Sequence, residues 1–393
     1  LDYYTFREFA VEARGHQVTI VGKPGVWSWD QLDPGTAALL EVAEIRPSDN
    51  VLDLGCGTGV IGAVASRLAS RGRVTLVDCN VAATACAERT LAANAIANAE
   101  VRLADGVEGL APASFDLVFS HLPRGRLVQE ELIQGAAWVL RPGGRFYLVA
   151  NKRSGVKGAI AYARALFGQC GVVRQKKGYH VALAVRPADL QLSPPTDGYV
   201  TRTVILNDVE TTVVSKPGVF AWDRVDAGTA ALVGAMEIET GDRVLDLGCG
   251  AGLAGLAAAR RASEGRVVLA DADARAVESA RRTLEANGIA NVEALLSDCG
   301  SAVLDRRFDT GRFDRVITNP PFHQGVGVDY DVACQFVRDA ARVLRREGHL
   351  FLIANRFLRY GDLIRETFGN VTTAYADNRY HVLTAVAQNQ SSG

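Results

Sequence analysis

Short β-rich runs alternate with longer Ala/Leu/Arg stretches along most of the chain. In the C-terminal half, residues 243–247, 266–271, 292–296, 313–318 and 349–354 read as strands, and 253–262, 275–287, 331–344 and 360–368 as helices. Alternation of this kind predicts a mostly parallel sheet covered on both faces. Residues 371–376 and 381–386 close the chain across a short turn at Asp377-Asn378, so they form an antiparallel edge hairpin, the last two of seven strands. Ahead of this core, residues 203–214 read as strands and lead into Lys216-Pro-Gly-Val-Phe-Ala-Trp222.

The same pattern is written twice. Asp53-Leu-Gly-Cys-Gly-Thr-Gly59 returns as Asp246-Leu-Gly-Cys-Gly-Ala-Gly252, and one constant displacement relates Lys23 to Lys216, Trp29 to Trp222, Asp78 to Asp271, Asn94 to Asn287 and Asp105 to Asp298. A repeat this long is a domain duplication, not a solenoid. Expected boundaries are 1–188 for the first domain, 189–200 for a linker rich in breakers (Leu-Ser-Pro-Pro-Thr-Asp-Gly), and 201–393 for the second. The copies part at the end of the fourth strand, where Thr318-Asn319-Pro320-Pro321-Phe322 stands against Ser120-His121-Leu122-Pro123-Arg124.

Composition agrees with two globular domains: 393 residues, 48% hydrophobic and 22% charged. No apolar run reaches membrane-spanning length and the first residues lack a signal-peptide layout, so no membrane partner is expected. Seven cysteines without a C-x-x-C pair argue against a disulfide framework or a zinc ribbon, so a reducing cytoplasm and no metal are expected. The net charge of −1 assigns any nucleic-acid contact to local patches. Lys152, Arg153, Lys157, Arg174, Lys176, Lys177 and Tyr179 form one such candidate, and Arg356, Arg359 and Tyr360 another beside the second copy's cleft. Solvated surface reads equally well for both.

Gly248, Gly250 and Gly252 make a turn between strand and helix, where a ligand can approach backbone that carries no Cβ. The following helix N-terminus offers free N–H groups. Asp271, ending the next strand, is placed to accept from a ribose diol. Because Gly250-Ala-Gly252-Leu-Ala-Gly255 also satisfies G-x-G-x-x-G, the loop alone leaves a nicotinamide dinucleotide open. Asp246 at the loop entry would repel a pyrophosphate but suits a cationic amino-acid ligand. Asn-Pro-Pro-Phe has no role in hydride transfer.

Together these motifs resemble the class I S-adenosylmethionine methyltransferases that act on exocyclic or amide nitrogen. The tandem arrangement resembles the ribosomal RNA guanine-N2 methyltransferases, above all the small-subunit (16S) group with a decayed N-terminal copy. The resemblance implies two tandem Rossmann-like domains, S-adenosyl-L-methionine as cofactor, and ribosomal RNA or the small ribosomal subunit as partner. By it, Asp246 and the loop Gly248, Cys249, Gly250 and Gly252 hold the methionine portion, Asp271 the ribose and Asp298 the adenine amine, with Ala272 also among the cofactor-binding residues. The segment Asp226-Ala-Gly228-Thr229 helps close over the cofactor. Asn319 and Pro320 present oxygens to the target NH2, Pro321 stiffens the turn without an N–H of its own, and Phe322 stacks on the base. Such a transfer is an in-line displacement that needs orientation above all.

His121, Leu122 and Arg124 leave the first copy without an amine cradle or stacking platform, so a docking or structural role is expected there, although Asp53–Gly59 and Asp78 persist. Other readings are a large-subunit guanine-N2 enzyme, a protein-glutamine N5-methyltransferase, and a non-catalytic RNA-binding assembly factor.

Overall fold

A computed structural model describes residues 2–305, 312–321 and 327–388, with 327–329 as backbone only. The chain splits into two compact units, Leu1–Gly198 and Tyr199–Gly393. Leu190 and Leu192 pack against a core of the first unit. The early part of the expected linker is therefore held there by apolar burial. No helix among the described residues is long and apolar enough to cross a membrane.

The first unit runs β1 (Arg7–Ala13), β2 (His16–Gly22), α1 (Pro34–Val42), β3 (Val51–Leu54), α2 (Val60–Leu68), β4 (Val74–Asp78), α3 (Val81–Ala93), β5 (Ala99–Leu103), β6 (Phe115–His121), α4 (Arg126–Val139), β7 (Leu140–Asn151), α5 (Val156–Phe167), β8 (Cys170–Lys176) and β9 (Tyr179–Val185). The second runs β10 (Val200–Leu206), β11 (Val209–Ser215), α6 (Ala227–Ala235), β12 (Arg243–Leu247), α7 (Leu253–Arg261), β13 (Arg266–Asp271), α8 (Ala274–Ala286) and β14 (Val292–Leu296). It continues with α9 (Ser301–Leu304), β15 (Phe313–Thr318), α10 (Gly327–Val343), β16 (Leu344–Asn355), α11 (Tyr360–Phe368), β17 (Thr372–Ala376) and β18 (Tyr380–Val386).

Each unit carries a seven-stranded sheet, in the order β14-β13-β12-β15-β16-β18-β17 in the second and β5-β4-β3-β6-β7-β9-β8 in the first. Strands β12 to β16 pair in parallel, while β16, β18 and β17 pair antiparallel. The closing hairpin turns at Asp377, whose carboxylate accepts the Arg379 and Tyr380 amides at 2.7 Å. The chain reverses its order of strand addition between β12 and β15, the switch point where such sheets open a crevice at their carboxyl ends.

The β10–β11 hairpin is sealed by a helix. On α8 the Thr283 hydroxyl accepts from the Val214 amide, and Asn287, just past its end, exchanges hydrogen bonds with the Thr212 backbone. Thr90 and Asn94 do the same for Val21 and Thr19 in the first unit, which accounts for the repeated Asn. Covering an edge in this way satisfies backbone groups that would otherwise recruit another strand.

Three expected boundaries move. Helix α6 was read only as a pre-core segment, because Ala-Gly-Thr-Ala-Ala-Leu-Val-Gly-Ala has no polar face to give it a period. Helix α10 begins at Gly327 and ends at Val343, and Leu344 already belongs to β16. The polar Leu344–Glu347 stretch hides that strand start: Glu347 takes a φ of 63°, and the pairing of β15 with β16 shifts register between Phe313 and Arg315.

Candidate active site

The floor of the second unit's cleft is set by the end of β12. Asp246 is only 2% exposed, and its Oδ2 accepts the Gly255 amide at 2.8 Å. Burial pushes its carboxyl up to about 7, against the pull of that N–H. Beyond it, Gly250 takes a φ of 54° and donates its N–H to Asp271 Oδ2 at 3.0 Å. A Cβ at Gly250 would meet nothing within 4 Å, so the space above the loop is open. Asp271 also accepts the Asp273 amide at 3.0 Å, and burial raises its carboxyl to about 6. The Cys249 thiol is pushed far up, chiefly by burial, so it is a neutral wall of the cleft and not a nucleophile.

Gly255 explains the third glycine of the motif. A Cβ there would stand 2.6 Å from a Leu269 methyl and 3.0 Å from Asp246 Oδ2, so α7 can lie this close to β13 only without one.

Strand β15 brings Asn319 to the same place. Its last ladder pair joins Thr318 to Leu247, and the Thr318 hydroxyl donates to the Leu247 carbonyl at 2.7 Å. Pro320 and Pro321 have no N–H to continue the ladder, so the strand stops there. Asn319 Nδ2 donates to Thr229 Oγ1 at 3.1 Å and makes a longer contact of 3.5 Å with Asp226 Oδ2. A carboxylate only accepts, so the amide nitrogen faces Asp226 and the oxygen turns away. That oxygen, Oδ1, is buried and has no hydrogen-bond partner.

Asp226, Thr229, Asp246, Cys249, Gly250 and Asn319 all line one cleft, open to solvent, with Gly248 and Phe220 also on its wall. Of the other expected residues, Gly252 caps α7 in the left-handed conformation and Ala272 follows Asp271 at half exposure. Asp298 lies just past β14, where its carbonyl accepts the Ser301 amide. A Cβ at Gly228 would meet Asp226, Ile353 and Tyr380, so this residue is packed beneath the cleft. Pro320 is buried and Pro321 half-buried, while Phe322 lies outside the described residues.

Two residues do more than their sequence reading assigned. Asp226 caps α6 by accepting the Thr229 amide at 3.1 Å and also faces Asn319. Its sequence signal is an acidic residue directly before a helical run. Phe220 is 52% exposed on the cleft wall, an apolar ring left in solvent beside a polar site.

The basic clusters dissolve in part. Arg174 and Lys176 both pair with Glu41, and the Tyr179 hydroxyl donates to Asp33, leaving Lys152, Arg153, Lys157 and Lys177 exposed. Tyr360, expected beside the second cleft, is instead 1% exposed, stacked on Tyr330 at 6.1 Å. It is the first residue of α11, and its apolar ring is drawn inward.

In the first unit the equivalent loop has the same form. Gly57 (φ 54°) donates to Asp78 Oδ2 at 2.9 Å, and Gly62 donates to Asp53 Oδ2 at 2.9 Å. At the strand end, His121 stands where Asn319 does: its Nδ1 is 3.2 Å from Thr36 Oγ1 and 3.5 Å from Asp33 Oδ1. Burial lowers its imidazole pKa.

The methyltransferase small domain family matches the chain twice, over residues 17–183 and 210–384. The ribosomal RNA small subunit methyltransferase C of Stutzerimonas stutzeri is 36% identical over 284 residues, 71% of this chain and 82% of that one. The chain belongs to this methyltransferase family. The Pseudomonas aeruginosa member is also 36% identical, over 67% of this chain and 77% of its own length. Among solved structures, the 16S rRNA N2 methyltransferase of T. thermophilus, in complex with AdoMet and guanosine, is 34% identical with a TM-score of 0.82. The match covers 97% of this chain and 98% of that one. Family membership accounts for both the tandem sheets and the glycine loop.

Proposed function

We propose that the second unit transfers a methyl group from S-adenosylmethionine to the exocyclic N2 amine of a guanine in 16S ribosomal RNA, in the cytoplasm. The observation that carries this reading is Asn319 Oδ1, a buried acceptor without a donor, on a residue that lines the same cleft as Asp246 and the glycine loop. Leaving such an oxygen unpaired costs about 1–3 kcal/mol, which a bound NH2 would offset.

The residues fit the cofactor. The space over Gly250 is free, and the Asp271 carboxylate, which accepts backbone amides from Gly250 and its own following turn, keeps lone-pair capacity for a ribose hydroxyl. Asp246 supplies negative charge for the amino-acid end, and Asp298 is assigned to the adenine edge. When bound, S-adenosylmethionine would supply an electrophilic methyl: the amine lone pair would form the N–C bond while the C–S electron pair left with S-adenosylhomocysteine, and the surplus amine proton would pass to solvent.

The chain's own part is orientation. A guanine amine is a weak nucleophile because its lone pair is delocalised into the ring. Asn319 Oδ1 and the Pro320 carbonyl each take one N–H, which fixes the nitrogen and favours its pyramidal form. Thr229 and Asp226 hold the amide so that its oxygen faces the amine. Pro321 stiffens the turn and Phe322 stacks on the base. The first unit, with His121 in the Asn position, serves folding or RNA docking.

The test is Asn319→Ala with labelled cofactor and 16S RNA or small subunits. Loss of orientation should lower the rate by about 100-fold while calorimetry still finds the cofactor bound. Undiminished transfer would sink the assignment. Label on a release factor instead of RNA would move it to glutamine chemistry.

A further inference from the structure

We infer that the first unit holds a second adenosyl-cofactor site, one that binds without transferring. The inference rests on the cofactor assignment made above for the second unit's loop. Three observations carry it.

The first is the loop's geometry. Gly55, Gly57 and Gly59 have φ values of 82°, 54° and 79°, against 75°, 54° and 81° for Gly248, Gly250 and Gly252. Asp78 accepts the Gly57 and Asn80 amides at 2.9 and 3.0 Å, as Asp271 accepts those of Gly250 and Asp273. A Cβ at Gly55 or Gly57 would meet nothing within 4 Å, so this cradle is not filled by the unit's own side chains.

The second is an orphaned atom. Asp53 is fully buried; its Oδ2 accepts the Gly62 amide, and its Oδ1 has no partner. The matching Asp246, held through Oδ2 in the same way, lines the cleft of the second unit. A ligand bearing an ammonium group at that end would satisfy Oδ1 and compensate a buried carboxylate.

The third is the state of the acceptor end. Tyr179 donates its hydroxyl to Asp33 Oδ2 at 2.8 Å, and its ring lies edge-on to His121 with centroids 5.7 Å apart. That ring presses on the start of α1, where a Cβ at Gly35 would meet it at 2.4 Å; the corresponding distance from Gly228 to Tyr380 is 3.6 Å. The end of the cleft that carries His121 is therefore tied to Tyr179 and Asp33 and offers no free amide oxygen, while the nucleoside end keeps its form. The ligand class is a nucleoside with a zwitterionic or cationic amino-acid tail, namely S-adenosylmethionine or its demethylated product.

Titrating the full chain with S-adenosylhomocysteine by calorimetry should give two sites. Asp78→Ala and Asp271→Ala should each leave one, and the double variant none, with circular dichroism confirming folding. A wild-type stoichiometry of one that Asp271→Ala abolishes and Asp78→Ala leaves alone overturns the second site and spares the proposed function. A single site lost only with Asp78→Ala does the reverse. If the Asp78 variant does not fold, the wild-type stoichiometry still decides.

Discussion

Asn319 is gripped by its nitrogen and offers its oxygen, so one side chain is both anchored and unsatisfied. The anchor makes Asp226 a positioning residue. Asp226→Ala should destabilise the protein by about 1 kcal/mol through loss of the α6 cap, read as a shift in urea midpoint. It should also lower kcat in the folded enzyme while cofactor affinity stays put. A purely structural role would leave kcat unchanged. Asp246, Asp271 and Asn319 were legible in the sequence because local spacing around strand ends fixes what each can reach. The contact of Asp226 with Asn319 was not, since it spans 93 positions of chain, a distance that only the folded sheet closes. Phe220 was hidden for the same reason.

Among the elements, the close approach of α7 to β13 sets the loop's shape. Gly255→Ala would drive a methyl into Leu269 and Asp246, forcing the helix outward. Overpacking of this kind costs about 1–3 kcal/mol. Displacing the Gly255 amide also removes the bond that orients Asp246, so cofactor affinity should fall in proportion to the shift. Calorimetry on the folded variant checks this, and unchanged affinity would mean that the loop is independent of the helix behind it. Strands β12, β13 and β15 were legible because central parallel strands are apolar on both faces. Helix α6 was not, because its exposed positions carry Ala and Gly instead of polar residues and so give it no period, and β16 disguised its charged start as the end of a helix.

For the whole molecule, the duplication places two buried carboxyls, Asp53 and Asp246, at equivalent points, each pushed up to about 7 by burial. Unfolded, both ionise near the usual carboxylate value of about 4. Between those values the folded chain holds protons that the unfolded chain has released, so their stabilising contribution is complete below about pH 4 and is lost as pH rises towards 7. Asp53→Asn with Asp246→Asn should therefore flatten the fall in stability of the ligand-free protein across that window. Urea unfolding at several pH values measures it, and a slope identical to wild type would refute the burial argument. The repeat and the divergent strand ends were visible in the sequence, but whether the first unit's loop kept its form depended on backbone angles that no motif specifies.

The bond from Gly250 to Asp271 is already made in the chain alone. A spent donor can thus be exchanged for a fresh one without the loop first having to organise, which removes an ordering penalty from every cycle.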